Sequence, residues 1–255
     1  MKTVLEDVVK YSLKSEEKII ELNDLIGQSI QFEFTGTVQC MACGDYPKKL
    51  FAQGFCYSCF TNSPQAAECI IRPELCRAHL GEGRDVEWEK KHHFQPHIVY
   101  FAVASALKVG VTRSTQVPTR WIDQGASQAI KIAEVPYRQL AGEIEVALKS
   151  SFTDKTNWRK MLKNEVAQFD LEEEKWRLEE LLPDDLSQYM TEDDEIHDIN
   201  YPVLTFPEKI KSVGFDKTPI IEGKLLGIKG QYLLLDNDRV LNIRKHEGYY
   251  INLNF

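Results

Sequence analysis

Hydrophobic and polar positions change rhythm several times along the chain, and each rhythm predicts a different element. Residues 29–38, Ser-Ile-Gln-Phe-Glu-Phe-Thr-Gly-Thr-Val, alternate apolar and polar in the manner of a half-buried strand. Upstream, Ser15 followed by Glu16 and Glu17 reads as the capped start of a helix over 16–25. Two β-rich runs, 97–104 and 107–113, are separated only by Ser105 and Ala106, which predicts a tight hairpin. Pro118 suits the first turn of a helix, and Gly125 lies where that helix would end. Residues 129–137 read as a third strand. Over 139–152 the apolar residues Leu140, Ile144, Leu148 and Phe152 recur every fourth position, the stripe of an amphipathic helix. A further short helix is predicted over 157–163, giving the order β-β-α-β-α of a compact α/β module.

Beyond this module the text turns acidic and then strand-rich. The start of 165–198 predicts a helix anchored by Phe169, Trp176 and Leu178, running into an acidic connector that ends at Pro202. From residue 220 onward, short apolar runs broken by glycines and by a turn at 236–238 predict a small sheet or barrel. The strand at 29–38 is expected to join it. The expected organisation is therefore 1–39, a helix and strand belonging with the C-terminal β domain; 40–96, a metal-binding segment; 97–164, the α/β module; 165–202, an acidic helix or linker; and 203–255, the β domain. The fold class is mixed, α/β or α+β.

Composition leaves this picture standing. Apolar residues make up 43% and charged residues 27% of the chain, ordinary globular proportions. No run approaches the ~20 apolar residues of a membrane helix, and residues 1–24 lack the apolar core of a signal peptide. A cytoplasmic protein without membrane contact is expected. The net charge of −8 is unevenly spread. Residues 165–198 hold 14 acidic residues against Lys175 and Arg177, and the remainder holds 25 acids against 29 bases. Outside one acidic segment, which could dock a protein partner, the chain is mildly basic and compatible with nucleic acid.

All six cysteines fall between Cys40 and Cys76, a cluster that points to metal rather than to disulfides. Cys40-Met-Ala-Cys43-Gly44 and Cys56-Tyr-Ser-Cys59 are two C-x-x-C knuckles; two intervening residues let both sulfurs of a pair reach one ion, and Gly44 supplies a turn. Four thiolates make the closed tetrahedron of a structural zinc site, with an iron–sulfur cluster or unligated thiols as the alternatives. The pattern is zinc-ribbon-like, with no open position for catalysis at the metal. Cys69, Cys76, His79 and His93 form a looser candidate second zinc site, near His92 and His97.

From 97 to 145 the chain resembles the GIY-YIG nuclease domain. Ile98-Val99-Tyr100 and Lys108-Val109-Gly110 stand where that family has its two name-giving tripeptides; Arg120 and Glu145 stand where it has its arginine and its metal-binding glutamate. The resemblance implies Tyr100 as the residue that positions the attacking water, Arg120 as a phosphate clamp and Glu145 as a ligand for magnesium or manganese. Lys108 replaces the second tyrosine, either as a catalytic phosphate contact or as a mark of lost activity, and Gln124 stands where a histidine is often found. Arg113, Arg120, Lys108 and Trp158 are the candidate nucleic-acid contacts, with Asn157 either at the active centre or, as favoured here, a helix cap. The phrases Gly54-Phe-Cys-Tyr-Ser-Cys, Arg72-Pro-Glu-Leu-Cys, Lys108-Val-Gly-Val-Thr-Arg, Arg120-Trp-Ile-Asp-Gln-Gly-Ala and Asp154-Lys-Thr-Asn-Trp-Arg also resemble an uncharacterised bacterial family, the domain of unknown function 2797. That kinship carries no activity.

Three functions fit these readings: a metal-dependent endonuclease, a nucleic-acid-binding protein that keeps the fold without cutting, and a protein-interaction scaffold built around the acidic segment.

Overall fold

The computed structural model describes residues 1–14, 18–149, 151–152 and 157–255. The expected cap at Ser15, Glu16 and Glu17, and Asp154, Lys155 and Thr156, lie outside the described residues. Among the described residues the strands form three sheets within a mixed α+β fold. The first sheet is a small antiparallel one of β1 (Lys2–Val4), β2 (Lys10–Lys14) and β3 (Ile19–Glu21). A 3-10 turn, Leu22–Leu25, follows it. The helix expected over 16–25 is therefore replaced, over its described residues, by strand and 3-10 turn. Leu22 and Leu25 are three apart, so one tight turn buries both, and the Asn23 side chain bonds the backbone of Val9 and Tyr11.

The second sheet joins distant parts of the chain. β4 (Ser29–Val38) lies between β13 (Tyr249–Asn254) and β10 (Ile220–Lys229), which continues into β11 (Tyr232–Leu235), β12 (Arg239–Asn242) and β9 (Lys211–Val213). All its neighbours pair antiparallel except β12 and β9. The alternation read at 29–38 appears as Ile30 and Phe32 buried against Ile221 and Leu225, with Ser29 exposed.

The third sheet runs in the order β6 (Leu107–Arg113), β5 (His97–Val103), β7 (Gln128–Val135), β8 (His197–Asp198). Every residue of β5 is buried, because both faces of this sheet are covered. One face, with Ile98, Tyr100 and Ala102, packs on α3 (Thr119–Asp123) and on the core of the second sheet. The other, with Val99, Phe101 and Val103, meets α4 (Arg138–Leu148) through Ala141, Ile144 and Leu148. The remaining helices are α1 (Tyr57–Asn62), α2 (Val86–His93), α5 (Trp158–Leu162), α6 (Leu171–Trp176), α7 (Leu178–Leu181) and α8 (Asp184–Ser187).

The acidic segment is more than a connector. Leu171, Leu178, Leu182 and Leu186 pack into the α4 side of the third sheet, and β8 pairs with β7. Trp176, expected to anchor this segment, is 64% exposed. Leu171 and Leu178, seven apart, keep one helical face inward, and a residue five after Leu171 points away from that face. The segment's one buried cation, Lys175, donates from Nζ to the Asp193 carbonyl at 2.8 Å and the Asp194 carboxylate at 2.7 Å. No helix among the described residues is long and apolar enough to cross a membrane.

Candidate metal centres and an arginine-lined cavity

The C-x-x-C spacing works because each knuckle turns its backbone back on its own sulfurs. Cys40 ends the stretch leaving β4, and Cys56 caps α1 while its sulfur accepts the Cys59 N–H at 3.5 Å. The Cys56 N–H donates to Cys40 Sγ at 3.2 Å. Burial pushes the Cys40 thiol up, but the backbone N–H groups of Cys43, Cys56 and Ala42 outweigh it and leave it at about 6. The four sulfurs of Cys40, Cys43, Cys56 and Cys59 lie within 4.8 Å of one another. Cys43 Sγ and Cys56 Sγ are 3.8 Å apart, far beyond the ~2.05 Å of a disulfide and equal to the ~3.8 Å edge of a tetrahedron with ~2.3 Å metal–sulfur bonds. The four cysteines can hold a metal ion such as zinc. The knuckles are tied to the second sheet by the Gln39 N–H to the Gly248 carbonyl at 2.7 Å, just before β13.

A second cluster forms in the segment between these knuckles and the third sheet. Cys69, Cys76 and His93 bring their ligand atoms within 4.8 Å of one another, and all three are buried. Cys76 Sγ lies 3.5 Å from His93 Nδ1. The Cys69 thiol donates to Cys76, which lowers Cys76 and raises Cys69. His79 stands outside this group, its ring stacked on Tyr137 at 4.5 Å. His97 is outside it too: its Nδ1–H donates to the Gln95 carbonyl at 2.7 Å, and burial pulls the ring down to about 4, so it stays neutral.

The loop bearing Cys69 and Cys76 is pressed onto α4. Arg138 donates from Nε to the Cys69 carbonyl at 3.0 Å and from Nη2 to the Ile70 carbonyl at 2.9 Å. One turn later, Gly142 lies so close to the Pro73–Glu74 backbone that a Cβ would overlap it. Glu145, a further turn along the same face, has its carboxyl raised by burial and then by Glu74, against the pull of Arg138, Lys149 and Lys108.

Residues of this loop line two cavities, Ile70 one and Ile71, Arg72 and Glu74 the other. The first, of 290 Å³, is lined by four arginines from four places in the chain: Arg113 at the end of β6, Arg120 on α3, Arg138 on α4 and Arg244 after β12. Asp123 is the one carboxylate among the described lining residues, with Thr112, Gln116, His92 and His93 around it. Asp123 is itself raised by burial against the pull of Arg244 and Arg120. Glu145, Glu74, Arg72 and Lys149 line the second cavity. Tyr100 is fully buried, with its ring over Gly110 of the neighbouring strand; burial pushes its phenol up to about 12, and Arg120, Gln124 and Glu145 all act on it.

The sequence-predicted residues thus divide. Arg113 and Arg120 share the arginine cavity, Tyr100 lies sealed beside Arg120, and Glu145 lines the second cavity with Lys108 in range of its charge. Trp158 lines neither cavity: Tyr232 stacks on it at 5.7 Å and Arg159 lies over its ring at 4.3 Å. Asn157 caps α5, accepting from the N–H groups of Arg159 and Lys160. Arg138 and Arg244 went unread in the sequence, since nothing local distinguishes them from surface arginines.

Residues 27–251 match the model of a family described as protein of unknown function (DUF2797). No curated protein and no solved structure matches the chain.

Proposed function

The chain belongs to this family of unknown function, DUF2797, and from its own residues we propose that it is a zinc-stabilised nucleic-acid-binding protein that takes backbone phosphate in the arginine cavity. The observation that carries the reading is the convergence of Arg113, Arg120, Arg138 and Arg244 on one cavity with Asp123 as the facing carboxylate. Like charges brought together at partial burial call for an anion, and guanidinium forks match phosphate oxygens in pairs. Arg138 directs two donors to the loop carbonyls, which fixes the cavity wall, and Arg244 pairs with Asp123 and Glu247 at 3.9 Å each, which leaves Arg113 and Arg120 as the groups to meet a strand. The order β5, β6, α3, β7, α4, with Tyr100 across Gly110, supports a GIY-YIG-like ancestry for this part. The Cys40, Cys43, Cys56 and Cys59 site supports a zinc-ribbon-like anchor whose closed tetrahedron holds the knuckles to the second sheet.

Binding without cutting is favoured by the loop at 69–74. Ile70 lines the cavity of Arg120 and Ile71, Arg72 and Glu74 line that of Glu145, so the phosphate clamp and the candidate cation ligand line different cavities. A second reading, phosphodiester hydrolysis with magnesium or manganese on Glu145, draws on Glu74, a second carboxylate lining the same cavity.

The test is incubation of zinc-loaded protein with labelled single- and double-stranded DNA and RNA, with magnesium or manganese, beside Arg120→Ala and Glu145→Ala. Retention of a labelled strand that weakens with Arg120→Ala and not with Glu145→Ala supports binding. Cleavage lost in both variants supports hydrolysis. Neither at low salt overturns both readings and turns attention to the acidic segment, where Trp176 stands exposed beside Glu172 and Glu173.

A further inference from the structure

Glu89 stands beside the second cluster, outside the three residues whose ligand atoms lie within 4.8 Å of one another. It sits on α2, one turn before His93, in a helix whose sequence, Val-Glu-Trp-Glu-Lys-Lys-His-His, reads as a solvated surface. Yet its carboxylate is only 3% exposed. A carboxylate removed from water needs a compensating partner. One oxygen, Oε1, accepts the Arg84 N–H at 2.8 Å. The other, Oε2, lies 4.0 Å from His93 Nδ1, too far for a hydrogen bond. The nearby guanidinium of Arg138 directs Nε and Nη2 to the Cys69 and Ile70 carbonyls.

We infer that Cys69, Cys76, His93 and Glu89 form a second zinc site, with Glu89 as its fourth ligand. A tetrahedral zinc ion with bonds of ~2.3 Å to sulfur and ~2.0 Å to nitrogen places those atoms about 3.5 Å apart, and Cys76 Sγ to His93 Nδ1 measures 3.5 Å. Both this contact and the approach of Glu89 converge on the same ring nitrogen, so Nδ1 is the ligating atom. Glu89 and His93, four apart on one helix, present their donors on one face. The Arg84 N–H on Oε1 is the outer contact that orients a ligating carboxylate. Room for that carboxylate comes from Gly83, where a Cβ would overlap the Glu89 oxygens. The ion joins α2 to the loop that walls the arginine cavity, and it does so whether or not that cavity binds nucleic acid.

Metal content of the full chain purified in zinc is the test. Two zinc ions per chain are expected, with one retained in Cys40→Ser/Cys43→Ser and one retained in Cys76→Ser. Cobalt in the Cys40→Ser/Cys43→Ser protein should give a tetrahedral spectrum with less sulfur-to-cobalt absorption than a four-thiolate site. In competition with a chromophoric chelator, Glu89→Gln should weaken that ion about tenfold or more. Gly83→Ala, which crowds the Glu89 carboxylate without removing any ligand, should weaken it too, and it keeps the question open to measurement if Cys76→Ser fails to fold. One ion per chain that vanishes in Cys40→Ser/Cys43→Ser, or a second ion held equally well by Glu89→Gln, overturns the assignment.

Discussion

The ring of Tyr100 lies across Gly110 on the adjacent strand, so close that a Cβ at position 110 would stand 2.6 Å from the phenol carbon and oxygen. Gly110→Ala must therefore displace a fully buried aromatic between two packed layers. It should destabilise the protein by about 1–3 kcal/mol, read as a fall in the midpoint of urea unfolding. Tyr100→Phe should cost less, because among the described residues the sealed hydroxyl has no hydrogen-bond partner.

Gly142 makes the same argument between α4 and the Pro73–Glu74 backbone. Here the obstacle is main chain, which cannot rotate away. Gly142→Ala should cost about 1–3 kcal/mol despite its better helix propensity, and hydrogen exchange should rise over residues 69–76. Unchanged exchange in that loop would contradict the clamp.

Lys175 ties α6 to the stretch just before β8 within the acidic segment, through the Asp193 carbonyl and the Asp194 carboxylate. Lys175→Met keeps the stem and removes the charge. It should cost about 1.5–3 kcal/mol and loosen residues 190–198 in hydrogen exchange ahead of the rest of the third sheet.

His97 makes stability depend on acid. Its folded value, about 4, lies below the ordinary ~6.5 of histidine because it is buried and neutral. Above pH ~6.5 both states are neutral and the residue contributes no pH dependence; as pH falls from there towards 4 the unfolded chain takes the proton first, and stability is lost. The loss approaches about 3 kcal/mol. From pH 7 to pH 5 the unfolding free energy of the wild type should fall by about 2 kcal/mol more than that of His97→Gln.

Much of this was legible in the sequence where a local period or spacing specifies the structure. The alternation at 29–38, the hairpin of β5 and β6, the Ile144 and Leu148 stripe of α4 and the paired cysteines of the first knuckles are such cases. The misread segments are those where tertiary contact overrides local pattern. The stretch leading to Leu25 looked like a capped helix but uses Leu22 and Leu25 in a 3-10 turn. Glu89 carries no local signal in its polar helix, and it is buried where Gly83 and the Arg84 N–H close on its carboxylate. Arg138 and Arg244 belong to one cavity only after α4 and the end of β12 are brought together. No window of sequence contains that fact.

The salt dependence of nucleic-acid binding tests the arginine cavity most directly. Fluorescence anisotropy of a labelled strand should give affinities that fall linearly with salt on logarithmic axes, and Arg113→Ala and Arg120→Ala should each reduce the slope by about 0.7–0.9, one phosphate contact apiece. A salt-insensitive affinity, or slopes in both variants equal to the wild type, would contradict phosphate binding in this cavity.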